Sequence, residues 1–266
     1  MHYDPIKRSL GSVFNSTPFL RKLFYFLLDV LLLRSWHIRS ELKRLDRKEY
    51  WRVLDAGSGF GQYTYWMSNY FPDVRITGVD VKEEQVADCN AFFKSIGKKD
   101  VEFEVSDLVT KKQMEIFTLV LCVDVMEHIE EDVQVLKNFH SCLVDYGILL
   151  ISTPSNMGGS DVHDDGETSF IEEHVRDGYD IEEIKEKCLK AGFSRVEARY
   201  SYGAPGKISW KLSMKYPMLL LNKSKIFFIV LPVYYLVTMP FCLILNSLDV
   251  KGSHSTGTGL IVKAWK

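Results

Sequence analysis

The sequence contains no C-x-x-C pair and no cysteine–histidine spacing of a zinc site, and its five cysteines, Cys89, Cys122, Cys142, Cys188 and Cys242, are odd in number. These absences speak against a disulfide framework or a zinc module and favour buried thiols in a reducing compartment. Low-complexity tracts and internal repeats are also missing, which removes linker-like and solenoid architectures. Signal-peptide grammar is absent as well: Arg21, Lys22 and Asp29 interrupt the first apolar stretch and no small-residue cleavage site follows. The N-terminal segment is therefore expected to stay in the mature protein. With 46% apolar and 26% charged residues, neither global disorder nor a polytopic membrane protein fits the composition.

The 266 residues suffice for one large α/β domain with an embellishment, and their net charge of -2 hides an asymmetry. Residues 1–50 carry a net +5, residues 51–202 a net -14, and residues 203–266 a net +7. Basic ends around an acidic middle point to an anionic membrane surface met by the ends. Nucleic acid is not an expected partner, because the basic residues are interleaved with apolar runs and not with base-stacking aromatics.

Ser16, Thr17 and Pro18 form a helix start, and Phe19 to Leu33 is rich in Leu and Phe but too short to span a bilayer. A more polar helix is predicted from Trp36 to Arg47. From residue 50 short apolar runs alternate with helical segments, the pattern of a parallel sheet with crossover helices. Strands are predicted at 52–55, 75–80, 101–105, 117–123, 147–153, 196–202 and 260–265, with helices at 63–70, 83–96, 130–142 and 181–191. The fold class is thus α/β, a doubly wound, mostly parallel seven-stranded sheet. Residues 1–49 form an N-terminal helical cap or membrane anchor, and 50–266 the main domain, with an apolar, basic insert at 204–256 between the last two strands. Within that insert Ile226 to Leu245 is almost wholly apolar, and Pro232 and Pro240 predict two or three short interfacial helices in place of one straight span.

Chemistry concentrates at the ends of the strands. The stretch LDAGSGFGQYT ends a strand with Asp55 and opens a helix through Gly57, Ser58, Gly59 and Gly61. Alternating glycines permit a tight turn and close approach of a ligand to the backbone. A merely tight turn, or the pyrophosphate cradle of a dinucleotide enzyme, is the competing reading. A carboxylate before the glycines repels pyrophosphate but suits a cationic amino acid group. GVD follows, its Asp80 placed to accept from two ribose hydroxyls with Val81 beside it. Alone, Asp80 reads equally as a helix cap. SDL, with Asp107 and Leu108, comes after the third strand, and Val123, Asp124, Glu127 and His128 after the fourth.

These motifs, with DVMEHI and GILLISTPS, resemble the class I S-adenosylmethionine-dependent methyltransferases, in the broad group that contains quinone-biosynthesis and small-molecule enzymes. The resemblance covers about residues 50 to 202 and the final strand. It implies six parallel strands with a seventh inserted antiparallel, and S-adenosylmethionine as methyl donor. It further implies Asp55 and the glycines around the methionine portion, Asp80 at the ribose, Asp107 at the adenine, and Asp124 with His128 near the sulfonium.

For an acceptor that needs deprotonation, His128, His163 and His174 are the base candidates. A packing role competes for His128, and a solvated acidic loop for residues 163–174. A metal site at His163, Asp164 and Asp165 is not expected, since consecutive residues rarely converge on one ion. Trp36, Tyr63 and Tyr65 are candidates for contact with the sulfonium, against ordinary packing. The expected activity is methyl transfer to a lipophilic small molecule or lipid-like acceptor, in the cytoplasm on the inner face of a membrane. Two alternatives stay open: a soluble small-molecule acceptor, with the apolar segments as a lid or homodimer interface, and a donor-binding assembly protein without turnover.

Overall fold

The computed structural model describes residues 17–110, 116–158, 175–224 and 226–266. Two helices come first, α1 (Pro18–Leu31) and α2 (Leu33–Lys43), parted at Leu32. Thr17 caps α1 by accepting from the Leu20 N–H, and Pro18 occupies the first turn, where its missing N–H costs nothing. The order continues β1 (Arg52–Ala56), α3 (Gln62–Tyr70), β2 (Arg75–Asp80), α4 (Glu83–Ser95), β3 (Val101–Val105), β4 (Phe117–Val123), α5 (Asp132–Cys142) and β5 (Leu143–Pro154). After α6 (Ile181–Lys190) and β6 (Arg195–Ser201) a helical insert precedes β7 (Gly259–Trp265).

The seven strands form one sheet in the order β3-β2-β1-β4-β5-β7-β6. The β1, β2, β3, β4 and β5 pairings are parallel, while β7 runs antiparallel to both β5 and β6. Side chains alternate across the sheet as the period of two demands. Leu54, Val120, Leu149 and Val262 face a core shared with Val135, Leu136 and Phe139 of α5 and Ile184 of α6. Their neighbours Val53, Leu119, Leu121, Leu150 and Ile261 face the opposite side, against Ile38 and Leu42 of α2 and Met67 of α3. Because both faces are covered at the centre of the sheet, β4 is buried almost throughout, whereas the edge strands β3 and β6 carry exposed charges such as Glu102, Glu104 and Arg195.

The insert is a helical hairpin. Its outgoing limb is α7 (Ala204–Trp210), one π-helical segment Lys211–Lys215, and α8 (Tyr216–Lys223); the returning limb is the single helix α9 (Phe227–Lys251). The prediction of two or three short helices across Pro232 and Pro240 is thereby corrected, since both prolines lie inside α9. Each proline removes one i→i−4 hydrogen bond, leaving the carbonyls of Phe228 and Leu236 without it, but the remaining bonds of a long helix hold its course. Tyr234 and Tyr235 donate their hydroxyls to the Leu212 and Ser213 carbonyls (2.6 and 2.8 Å) and so bind the limbs together across the π-helical segment.

At its base the hairpin is fixed by buried ionic groups. The Asp249 carboxylate lies 2.8 Å from His37 Nε2 and accepts from the N–H groups of Tyr202 and Gly206. Arg199 of β6 reaches both His37 Nδ1 and Glu41 of α2. One cluster therefore joins α2, the sheet edge and the hairpin.

Candidate active site

β1 and β4 are neighbours, while β2 and β5 continue to either side, so the chain reverses its winding between β1 and β4 and a crevice opens beyond their C-terminal ends. The turn from β1 to α3 lies at that crevice. Gly57, Gly59 and Gly61 have φ of +75°, +51° and +76°, a region that strains other residues. At Gly57 a Cβ would overlap the Val125 side chain, whereas at Gly59 nothing lies within 4 Å of where a Cβ would stand. The backbone at Gly59 is therefore open to a ligand.

Hydrogen bonds tie this turn to β2. Gly57 and Ser58 donate N–H groups to the Val79 carbonyl at 2.8 and 2.9 Å. Gly59 N–H donates to Asp80 Oδ2 at 3.0 Å, and the other Asp80 oxygen accepts from Lys82 N–H at 2.9 Å. Asp55 is buried and accepts from the Thr64 hydroxyl. Burial raises its carboxyl to about 6, against the lowering effect of its bonds to Thr64, and Asp80 adds to the rise. The fold thus brings Asp55, Gly57, Ser58, Gly59, Gly61 and Asp80 together.

The remaining sequence candidates spread around this centre. Asp124, at the end of β4, has a φ of +52°, donates its N–H to the Ser152 carbonyl and pairs its carboxylate with Arg34. Val123 beside it is half-buried, and Val81 beyond Asp80 is exposed. Leu108 packs against the core next to α5, while the exposed Asp107 accepts from Val109 N–H at 2.8 Å. His128 ends the one-turn 3-10 helix Met126–His128 and is exposed. His163 and His174 lie outside the described residues. Tyr65 packs at tilted and edge-on angles among Tyr25, Phe92 and Phe93, and Tyr63 is half-buried with its hydroxyl 3.3 Å from Ser35, so both pack within the fold. Trp36 donates its indole N–H to the Val30 carbonyl.

Of the N-terminal helices, sequence reasoning brought only Trp36 to this site and missed the residues that hold the glycine turn. Arg21 is only 2% exposed; it bonds Asp88 of α4 at 2.6 Å, the Tyr25 hydroxyl at 2.8 Å and the Phe60 carbonyl of the glycine turn at 3.0 Å. Tyr25 donates to the same carbonyl. Gln62, the first residue of α3, donates to Asp29 and to Ser35. Arg21 and Arg34, which count in the sequence toward the basic N-terminal end, are thus engaged inside the fold: Arg21 is buried against the glycine turn, and the half-exposed Arg34 pairs with Asp124. No local pattern distinguishes them from surface arginines, because their partners lie 67 and 90 residues away.

Glu127 carries no role in the sequence pattern alone. It is buried, accepts from the Thr153 hydroxyl at 3.1 Å, and is pushed up by burial, against the pull of His128 and Arg34. Ser58 Oγ and Arg34 Nε are buried with no hydrogen-bond partner among the described residues. The orphaned Ser58 hydroxyl, next in the chain to the uncovered Gly59 backbone, fits a polar ligand in this crevice.

Comparison with known proteins bears on the same region. A family model described as a methyltransferase domain matches residues 47–200. The chain is similar to malonyl-[acyl-carrier protein] O-methyltransferase of Bacillus anthracis, 31% identical over 103 residues, which is 38% of this chain and 37% of that protein. It is similar also to release factor glutamine methyltransferase of Koribacter versatilis, 36% identical over 75 residues, or 27% of this chain and 26% of that one. These matches span about a third of the curated relatives' length or less. Among solved structures, phosphoethanolamine N-methyltransferase 2 of Haemonchus contortus in complex with S-adenosyl-L-methionine aligns with a TM-score of 0.61 and 18% identity, over 85% of this chain and 51% of that one. At that identity the likeness is one of fold.

Proposed function

The chain belongs to the methyltransferase-domain family, in its S-adenosylmethionine-dependent class I, and from this we propose that it methylates a lipophilic small molecule or lipid-like acceptor at the cytoplasmic face of a membrane. The crevice at Gly59 and Asp80 is where S-adenosylmethionine would be held, and bound there it supplies a methyl group already activated by its sulfonium. Asp80 has lone pairs left to accept from ribose hydroxyls, since each oxygen takes one N–H bond. Asp55 meets the amino acid portion, and the peptide groups of the glycine turn approach it without side chains between. Asp124 and His128 border the reacting end. Alignment carries much of the rate for such a displacement, and a base is needed only for a weakly acidic acceptor. For that role His128 is exposed to the solvent side.

The observation that supports a lipophilic acceptor is the hairpin surface. α9 has a mean hydropathy of 2.2 in its most apolar window and is almost wholly unburied, with Ile229 77% and Leu236 78% exposed. That is more apolar surface than an unpartnered soluble protein keeps. Because β6 and β7 pair with each other, both ends of the hairpin lie on one side of any bilayer, which excludes a single crossing. Lys207, Lys211 and Lys215 recur every fourth residue along the outgoing limb. Drawn through the hydrocarbon core, each would cost about 2.5–3.5 kcal/mol, so the hairpin lies in the interface with its lysines at the headgroups.

The test is flotation with anionic liposomes at low and high salt, followed by incubation with labelled donor and either a lipid or an aqueous extract of the host. Label entering the lipid fraction is the expected result. A protein that never floats and labels only aqueous material would overturn the membrane reading while leaving methyl transfer intact.

A further inference from the structure

A second site lies away from the glycine turn, where three helix faces converge on one cleft of about 410 Å³. From α1, the exposed apolar stripe Phe19, Leu23 and Phe26 runs into it and ends at Val30. From α9, the stripe Val233, Val237 and Ile244 continues at helical spacing to Ser247 and Lys251, which line the same cleft. The third wall is one face of α2, formed by Trp36, Arg39, Ser40 and Lys43. Two apolar tracks thus lead from the outer surface to a cationic end.

The charge there is unbalanced. Among the described residues that line the cleft, Arg39, Lys43 and Lys251 stand against one carboxylate, Asp29, which is already engaged by Arg39 and by Gln62. Asp29 also forms the boundary with the active site, because Gln62 opens α3 directly after the glycine turn. The cleft is therefore a neighbour of the donor crevice and not part of it.

We propose that this cleft binds the anionic phosphate headgroup of a membrane phospholipid, with Lys43 and Lys251 at the phosphate and the acyl chains along the α1 and α9 stripes. The inference rests on the membrane-surface reading above and adds a specific lipid site to it. Charge complementarity chooses an anionic headgroup, and the apolar tracks choose a lipid over a free phosphate. Such a site orients the enzyme. A headgroup seated between α1, α2 and the base of α9 fixes which side of the domain, and hence which end of the donor crevice, faces the bilayer.

Lys43 and Lys251 also sit in the last turns of their helices, where a lysine stabilises the helix end whatever it binds. The experiment separates the two roles. Full-length protein is floated with vesicles of phosphatidylcholine alone and with added phosphatidylglycerol, as wild type, as Lys43→Gln/Lys251→Gln, and as a control pair of exposed lysines, Lys94→Gln/Lys137→Gln. Wild type is expected to favour the anionic vesicles, and the cleft variant to lose roughly twenty- to thirtyfold of that preference, as for two lysines at about 1 kcal/mol each. Its donor affinity and its binding to phosphatidylcholine should be unchanged, and the control pair should lose much less. Equal losses in the two variants, or a cleft variant that keeps its preference, would overturn the site while the membrane reading stands. So would competition by inorganic phosphate as strong as that by short-chain phosphatidylglycerol. Wild type that floats with neither vesicle would overturn the membrane reading itself.

Discussion

Replacing Asp55 should move stability and donor binding in opposite directions, and pH should do the same to the wild type. The folded-state carboxyl is raised from 3.8 to about 6 by burial. Between those values the native protein holds a proton that the unfolded chain has released, so stability falls as pH rises through that window. Above it the buried charge costs about 3 kcal/mol, at about 1.36 kcal/mol for each pH unit that separates the two values. Asp55→Asn removes that cost and should stabilise the fold at pH 7.5, by up to about 3 kcal/mol, or several degrees in melting temperature for a chain of this size. Donor binding needs the charge that stability resists. With a carboxyl at about 6, roughly nine tenths is ionised at pH 7 and about a tenth at pH 5, so donor affinity should weaken about tenfold between them. In Asp55→Asn it should be weak and flat with pH, down by roughly ten- to a hundredfold for a lost charge-assisted bond. Calorimetric titration in two buffers of different ionisation enthalpy also counts the proton: about half of one should leave on binding at pH 6. Donor affinity that does not change from pH 5 to 7.5, or an Asp55→Asn protein less stable than wild type at pH 7.5, would refute this account of the turn.

Asp80→Ala should weaken donor binding by roughly ten- to a hundredfold in the same titration, and tight NAD binding to the wild type would remove the donor assignment. If the acceptor atom is a hydroxyl oxygen, His128→Ala should lower kcat while leaving donor affinity close to wild type, read from steady-state rates beside calorimetry. Ile229→Asp with Leu236→Asp should abolish flotation with every vesicle composition and leave the melting temperature within a few degrees, because both side chains are exposed; a variant that still floats would free the hairpin from the membrane role. Asp249→Leu strands His37 and the N–H groups of Tyr202 and Gly206, and should cost about 3–5 kcal/mol in denaturant unfolding; a loss below about 1 kcal/mol would mean that this cluster does not hold the hairpin.

Features that depend on near neighbours in the chain could be read before the fold was known. Strands β1, β2, β4 and β5 were legible because a strand covered on both faces reads as a short apolar run, and β3 because its apolar residues alternate with Glu102 and Glu104; the glycine turn was legible because Asp55, Gly57, Gly59 and Gly61 must be close in sequence to reverse the chain over one ligand. Asp80 was legible from its register after the second strand. The structure alone decided where charges point. Arg21 and Arg34 counted as surface cations until the fold set Asp88, Phe60 and Asp124 beside them, and His37 finds Asp249 across 212 residues. The course of α9 was also a tertiary outcome: local preference breaks a helix at Pro232 and Pro240, but the bonds of Tyr234 and Tyr235 to the outgoing limb and the buried Asp249 at the base hold one helix through both. Spacing within a segment reports the backbone that it can adopt, whereas the partner of a buried charge is set by which segments meet, and only the folded chain brings them together.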